Sequence, residues 1–388
     1  MKPTHAFLLK CPPVPKVRIA LIGLGKRGMK TLVRYAFIPN AEIRYVVDVD
    51  TDKLAEANRQ LTCSGRPAAT ALQGAEAWKE ACEKDDVDLV YICTEWHTHA
   101  EMALRAMRCG KHVAVEVPAA TTLEECRALV RTAEETQRHC FMTENCCYDF
   151  FHLCTLEMNR RGLFGRINHC EGAYIHDLTP ETVNAQPTSP ANSWIERSCA
   201  LHGGNPYPTH GIGPIAQLLG FHRTDRMTSV VSLTSGGDGV DATQTGRINT
   251  SLIQTESGAT IMLQLDVVTH RPYSRMQTIC GTHAFAQKYP VATYQDSEKV
   301  LTGNEAEHFL SSFATSEAAL LWKEGERLHV PNAMNYAMDA RLIHCLTHGL
   351  PLDIDVYDAA EWSCLAELTR LSAQAGGKPV EVPVFLEQ

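Results

Sequence analysis

The stretch Val17-Arg18-Ile19-Ala20-Leu21-Ile22-Gly23-Leu24-Gly25-Lys26-Arg27-Gly28 decides the fold. An apolar strand runs directly into a G-x-G-x-x-G turn, which opens a helical pattern over Lys26–Ala36. In such a turn the first glycine permits the tight bend and the second lets backbone approach a pyrophosphate. The third lets the helix pack close on the strand, and the helix N-terminus faces the phosphate. Twenty residues beyond Gly28, the strand Glu42–Val47 ends in Asp48. A carboxylate there accepts from the ribose 2′-OH of NAD and repels the extra phosphate of NADP. Gly23, Gly25, Gly28 and Asp48 are therefore read as dinucleotide contacts.

Strand and helix signals keep alternating to about residue 145, through helix Thr51–Leu61, strand Leu89–Cys93, helix His99–Cys109, strand His112–Glu116, helix Thr122–Gln137 and strand Cys140–Thr143. That order specifies an α/β Rossmann domain with a doubly wound parallel sheet. Ligands bind outside the carboxyl ends of such strands, so Thr94-Glu95-Trp96-His97-Thr98-His99 and Glu116-Val117-Pro118 are expected to border the nicotinamide. His97 and His99 lack a suitable third ligand nearby, and no metal is expected.

From about Gly165 the pattern changes to longer alternating stretches, Ile167–Ile175, Ser229–Thr234, Asn249–Thr255, Thr260–Val268 and Arg275–Gly281, with a helix at Pro214–Leu219. They predict an α+β domain with a mostly antiparallel open sheet. The expected boundaries are 1–145 for the NAD-binding domain and 146–388 for a substrate-binding and oligomerisation domain. Helices Met334–His348 and Tyr357–Ala373 are free to pack back on the first domain, and a strand at Val380–Val384 closes the chain.

The 388 residues carry a formal charge of −9 and no basic tract, which argues against nucleic-acid and membrane partners and favours a small-molecule or glycan substrate. No run approaches the roughly 18 apolar residues of a spanning helix, and the first sixteen residues hold no signal-peptide core. A cytoplasmic protein is expected. The fifteen cysteines are scattered rather than concentrated, as expected of reduced thiols with structural or incidental roles.

Several longer motifs resemble the Gfo/Idh/MocA group and, within it, glycoside hydrolase family 109, the NAD-dependent α-N-acetylgalactosaminidases. They are Trp96–His99, Val115–Ala120, Glu144–Tyr148, Glu171–Asp177, Tyr207–Pro214 and Asp355–Ala360, spread over essentially the whole chain. Dehydrogenases of the group usually carry Glu-Lys-Pro where this chain has Glu116-Val117-Pro118, and an Asp where it has Pro214. Both usual proton acceptors of a net oxidation are thus missing.

The resemblance implies a glycosidase that cleaves α-linked N-acetylgalactosamine or a related hexoside. NAD takes a hydride from sugar carbon 3, the carbon 2 proton is removed, the group on carbon 1 leaves, water adds and the hydride returns. NAD stays tightly bound and is regenerated each turnover, and the usual paired carboxylates are not needed. The implied catalytic residues are His210, Tyr174, Tyr289 and Glu144, and imidazole suits proton transfer in the working pH range. Implied NAD contacts are Lys26, Arg27, Thr94, Trp96, His97, Thr98, His99, Glu116, Val117, Asn145 and Tyr207, beside Gly23, Gly25, Gly28 and Asp48. Implied sugar contacts are Tyr174, Tyr207, Pro208, Thr209, His210 and Tyr289.

Where the family has Trp-Arg this chain has Trp194-Ile195, and Arg197 stands in for the arginine. Most family members carry an export leader; this chain is expected to be without one, which would suit an imported glycan fragment as substrate. The alternatives are an NAD-dependent sugar dehydrogenase and a non-catalytic NAD or sugar sensor. A homodimer or homotetramer formed through the C-terminal sheet is expected, because an exposed sheet face is otherwise a liability.

Overall fold

The computed structural model describes residues 5–178, 195, 198–199, 202–235 and 248–386. The chain forms two units, one of residues 1–148, 317–361 and 385–388, the other of residues 149–316 and 362–384. Each is described by itself. No helix among the described residues is long and apolar enough to cross a membrane.

The first unit begins with β1 (Val17–Ile22), in which every residue but Arg18 is buried, as befits a central parallel strand covered on both faces. Helix α1 (Lys26–Tyr35) follows, burying Gly28, Thr31, Leu32 and Tyr35 at the helical i, i+3, i+4, i+7 spacing. Next come β2 (Ala41–Asp48), α2 (Thr51–Cys63), β3 (Thr70–Gln73), α3 (Ala77–Glu83), β4 (Leu89–Ile92), α4 (Trp96–Arg108), β5 (His112–Val115), α5 (Leu123–Thr136) and β6 (Cys140–Met142). Side chains cap the helices: Asp50 accepts from the amides of Asp52 and Lys53 at α2, and Thr122 with Glu125 forms a capping box at α5. The six strands are all parallel in the order β3-β2-β1-β4-β5-β6, the doubly wound arrangement expected. The sequence reading does not place β3 and α3, and it begins α4 at His99 where the helix starts at Trp96, so Trp96-His97-Thr98-His99 forms its first turn rather than a preceding loop.

The second unit carries α6 (Phe150–Arg160), β7 (Ile167–Ile175), α7 (Thr209–Leu219), β8 (Met227–Thr234), β9 (Asn249–Thr255), β10 (Thr260–Asp266), β11 (Ser274–Gly281), β12 (Phe285–Gln287), β13 (Thr293–Gln295), β14 (Val300–Thr302) and α8 (Asn304–Ser311). Helices α9 (Glu317–Arg327) and α10 (Ala333–His348) belong to the first unit. Helix α11 (Val356–Gln374) supplies residues to both, and β15 (Val380–Glu381) completes the second unit's sheet. That nine-stranded sheet runs β14-β13-β12-β11-β7-β10-β9-β8-β15, antiparallel except for the β7–β10 pair. Strand β9 alternates buried and less buried residues with period two, the mark of a sheet with one covered face. Helix α7 starts five residues before the expected Pro214, which its interior accommodates.

Inside the first unit, Arg34 of α1 and Asp339 of α10 form an ion pair at 2.8 Å, with side chains only 2% and 0% exposed. Tyr91 of β4 donates to the other carboxylate oxygen at 3.0 Å. Burial pushes the Asp339 carboxyl up while Arg34 draws it down, and the net shift is upward. Removing one partner of such a pair leaves an uncompensated buried charge. Arg34→Ala should therefore lower the unfolding free energy by about 3–5 kcal/mol in denaturant titration; a change below about 1 kcal/mol would show the pair to be energetically idle.

His112 opens β5 and His139 immediately precedes β6, with ring centroids 5.1 Å apart. Burial pushes their pKa values down to about 3 and about 4. The unfolded chain takes up these protons near pH 6.5, so their stabilising contribution is full above that pH and is lost as pH falls towards 4. The pH dependence of the unfolding free energy should steepen in that window by up to about 2.7 kcal/mol per pH unit for the two groups. His139→Phe should halve that contribution.

Candidate active site

The cofactor half lies in the first unit at the carboxyl ends of β1, β2, β4 and β5. At the turn after β1, Gly23 has φ +87°, and a Cβ on it would lie 2.7 Å from the carbonyl oxygen of Cys93. A Cβ on Gly28 would lie 1.9 Å from the Gly23 carbonyl oxygen, so the helix meets the turn backbone to backbone. A Cβ on Gly25 would meet nothing within 4 Å, leaving open space in front of the helix N-terminus. Asp48 accepts from the Leu24 amide at 2.7 Å and from the Asp50 amide at 3.0 Å, so the carboxylate is fixed across the turn. These features fit a dinucleotide: an open cradle of amides for the pyrophosphate and an anchored carboxylate for the ribose diol.

The remaining residues of this half divide by exposure. Arg27 pairs with Glu116 at 3.2 Å. Thr94 and Thr98 share a hydroxyl hydrogen bond of 2.7 Å, and His97 lies 3.6 Å from Glu95 on the surface. His99 is fully buried, with Nδ1 2.7 Å from the Pro118 carbonyl and Nε2 3.1 Å from the Thr94 carbonyl. Burial pushes its pKa down while the two carbonyls oppose that shift; because a neutral ring has a single N–H, it donates to only one of them at a time. Trp96 and Val117 are buried, and Lys26 is exposed at the first position of α1. Asn145 donates to Asn335 of α10 at 2.9 Å, a partner 190 residues away that no local pattern announces. Glu144 is completely buried, one oxygen accepting from the Cys146 amide at 3.0 Å.

The described residues that the resemblance implies as sugar contacts lie in the second unit. A Cβ on Gly172 would lie 2.4 Å from the Gly211 carbonyl oxygen, so α7 rests directly on β7. That contact brings His210, in the first turn of α7, beside Tyr174 of β7 with ring centroids 5.5 Å apart. Tyr207 completes the group, 4.9 Å from the Tyr174 ring and 4.7 Å from the His210 ring. Its backbone is held by the Asn205 side chain, which accepts the Tyr207 amide at 3.1 Å. Pro208 and Thr209 are buried beneath it, and His210 is 3% exposed. The Tyr174 hydroxyl is hydrogen-bonded to His176 Nδ1 at 3.0 Å, and His176 meets Tyr273 edge-on at 5.3 Å. Tyr273 in turn meets Tyr289 at 6.0 Å, and Lys288 is held by Asp149 at 2.5 Å.

The structure thus gathers Tyr174, Tyr207, His210 and Tyr289 along one aromatic chain. His176 and Tyr273 are added members; His176 stood inside a motif already singled out, whereas Tyr273 gave no local signal. Arg197 lies outside the described residues.

The anchoring of Asp48 yields a test. Asp48→Ala removes a charged acceptor, worth roughly 1.5–3 kcal/mol, and should weaken NAD binding about 10–100-fold. Lys53, 3.8 Å from Asp48, then remains to attract a 2′-phosphate. Fluorescence titration should accordingly show the NAD over NADP preference collapsing, whereas an unchanged preference would remove Asp48 from the selection.

Known proteins bear on both halves. Residues 148–388 match the family model "Glycosyl hydrolase 109, C-terminal domain", and residues 17–144 match "Oxidoreductase family, NAD-binding Rossmann fold". An α-N-acetylgalactosaminidase of Bacteroides fragilis is 48% identical over 98% of this chain and 95% of its own length. A glycosyl hydrolase family 109 protein of Phocaeicola vulgatus is 45% identical over 99% of this chain and 98% of its own. Among solved structures, a levoglucosan dehydrogenase in complex with NADH superposes with a TM-score of 0.73 at 19% identity, covering 95% of this chain and all of its own, a likeness of fold alone. With an NAD-binding Rossmann domain ahead of its sheet domain, the chain belongs to glycoside hydrolase family 109.

Proposed function

We propose that the protein hydrolyses α-linked N-acetylgalactosaminides or related hexosides by transient oxidation at carbon 3, elimination, water addition and re-reduction. The observation that carries this reading is the pairing of a phenol and an imidazole, Tyr174 and His210, fixed side by side by the Gly172–Gly211 contact. An elimination next to a ketone needs two proton-transfer groups, and this pair supplies both. The B. fragilis relative named for this activity supports the substrate class.

When bound, NAD supplies the acceptor for the carbon 3 hydride and returns it at the end of the cycle. His210 takes the proton of the carbon 3 hydroxyl. Tyr174, its hydroxyl hydrogen-bonded to His176, then removes the acidified proton from carbon 2 as the carbon 1–oxygen bond breaks and the aglycone leaves. Tyr174 passes that proton to the departing oxygen, water adds its hydroxyl to carbon 1 and a solvent-derived proton to carbon 2, and His210 gives back the hydroxyl proton. Tyr207 and Tyr289 hold the sugar by packing. Because the hydride returns each turnover, the cofactor is retained rather than exchanged.

All fifteen cysteines are free and most are buried, which supports a reducing compartment such as the cytoplasm. Leu233 and Leu252, 60% and 54% exposed, lie on the same sheet face through the β8–β9 register and support association of two or four copies through this sheet.

Purified protein without added NAD should release the aglycone from an aryl α-N-acetylgalactosaminide. His210→Ala and Tyr174→Phe should each lower kcat by about 10²–10⁴-fold. Accumulation of NADH in proportion to substrate would overturn the reading and mark a sugar dehydrogenase.

A further inference from the structure

Three buried side chains of ligand type converge at the amino ends of β5 and β6, within the first unit. Cys11 comes from the segment ahead of β1, His112 opens β5 and His139 stands just before β6. One ligating atom of each lies within 4.8 Å of the other two. Nothing in the proposed reaction uses them. They sit at the opposite ends of the strands from the cofactor cradle; the four residues of β5 alone span about 13 Å.

The atoms of this cluster are underused. His139 is 5% exposed, and its Nε2 is buried with no hydrogen-bond partner. An orphaned buried polar atom costs roughly 1–3 kcal/mol, so it calls for an explanation. Cys11 Sγ makes only a long 3.6 Å contact with the Gln137 carbonyl. His112 is better served, its Nδ1 accepting the His139 amide at 3.2 Å. The residues left to close on a ligand are therefore Cys11, through Sγ, and His139, whose Nε2 has no partner, with the His112 ring alongside. The Nε2 lone pair of His139 is available to a ligand when the proton is on Nδ1.

Charge selects the ligand. The Arg138 guanidinium acts on all three groups, and the Asp88 carboxylate opposes it at His112 alone, so positive charge predominates beside Cys11 and His139. Replacing the thiol proton by a monovalent cation leaves the buried charge unchanged, whereas a divalent ion adds a positive charge beside the guanidinium. A thiolate with an imidazole is a soft donor set that suits copper(I), an ion content with two or three ligands.

We propose that Cys11 and His139, flanked by His112, form a binding site for copper(I), separate from the catalytic residues. The Cys11 S–H bond breaks and an S–Cu bond forms as the proton leaves to solvent; no electron is transferred. Because Cys11 lies ahead of β1, the bound ion ties that segment to the sheet.

The test is an anaerobic titration of the reduced full-length protein with copper(I) in competition with bicinchoninate. The wild type should retain one equivalent and unfold at a higher temperature with it, while hydrolysis is unchanged. Cys11→Ala and His139→Phe should each lose that equivalent by at least tenfold in affinity. Cys63→Ser, which removes an exposed thiol, should keep it. Copper-edge absorption of the loaded wild type needs no variant and should show one sulfur with one or two imidazole nitrogens. The proposal fails if the wild type takes up no copper, if Cys11→Ala keeps its equivalent, if the absorption shows sulfur ligands alone, or if zinc binds more tightly than copper(I).

Discussion

In each unit the candidate residues depend on a helix whose first turn rests on neighbouring backbone with no side chain between them. In the first unit the Gly23 carbonyl oxygen occupies the space a Cβ on Gly28 would need, and α1 thereby aims its free amides at open space beyond Gly25. In the second unit the Gly211 carbonyl occupies the space of a Gly172 Cβ, and α7 thereby sets His210 against Tyr174. A single methylene at either contact would push the helix away. In one case the anion cradle opens, in the other the phenol–imidazole pair separates.

What could be read from the sequence follows from how local each determinant is. The glycine turn, Asp48 and the alternation of strands and helices are set by neighbouring residues, and the parallel sheet emerged in the order 3-2-1-4-5-6. The His210 and Tyr174 motifs were visible as motifs, but their meeting across Gly172 and Gly211 is a tertiary fact. The Arg34–Asp339 pair spans 305 residues, and nothing near either residue marks it. The short strands β12, β13 and β14, three residues each, carry too little alternation to stand out. Pro214 suggested a late start for α7, yet it stands sixth of the eleven helical residues, past the four whose N–H groups need no intrahelical acceptor, so tertiary packing rather than local propensity carries the helix through it. Cys11 seemed one more incidental thiol because its two neighbours come from strands more than 100 residues away.

The chemistry that results differs from that of a glycosidase built on two carboxylates at fixed separation. In the proposed reaction the proton-transfer groups are a phenol and an imidazole, while Asp48 spans the cofactor turn, Asp149 holds Lys288 and Asp339 is locked to Arg34. In that reading the carbon 2 proton leaves during the cycle.

Isotope exchange at carbon 2 tests this most directly. When an aryl α-N-acetylgalactosaminide is cleaved in deuterated water, the released sugar should carry deuterium at carbon 2. Full release of the aglycone with carbon 2 still bearing only protium would contradict the account.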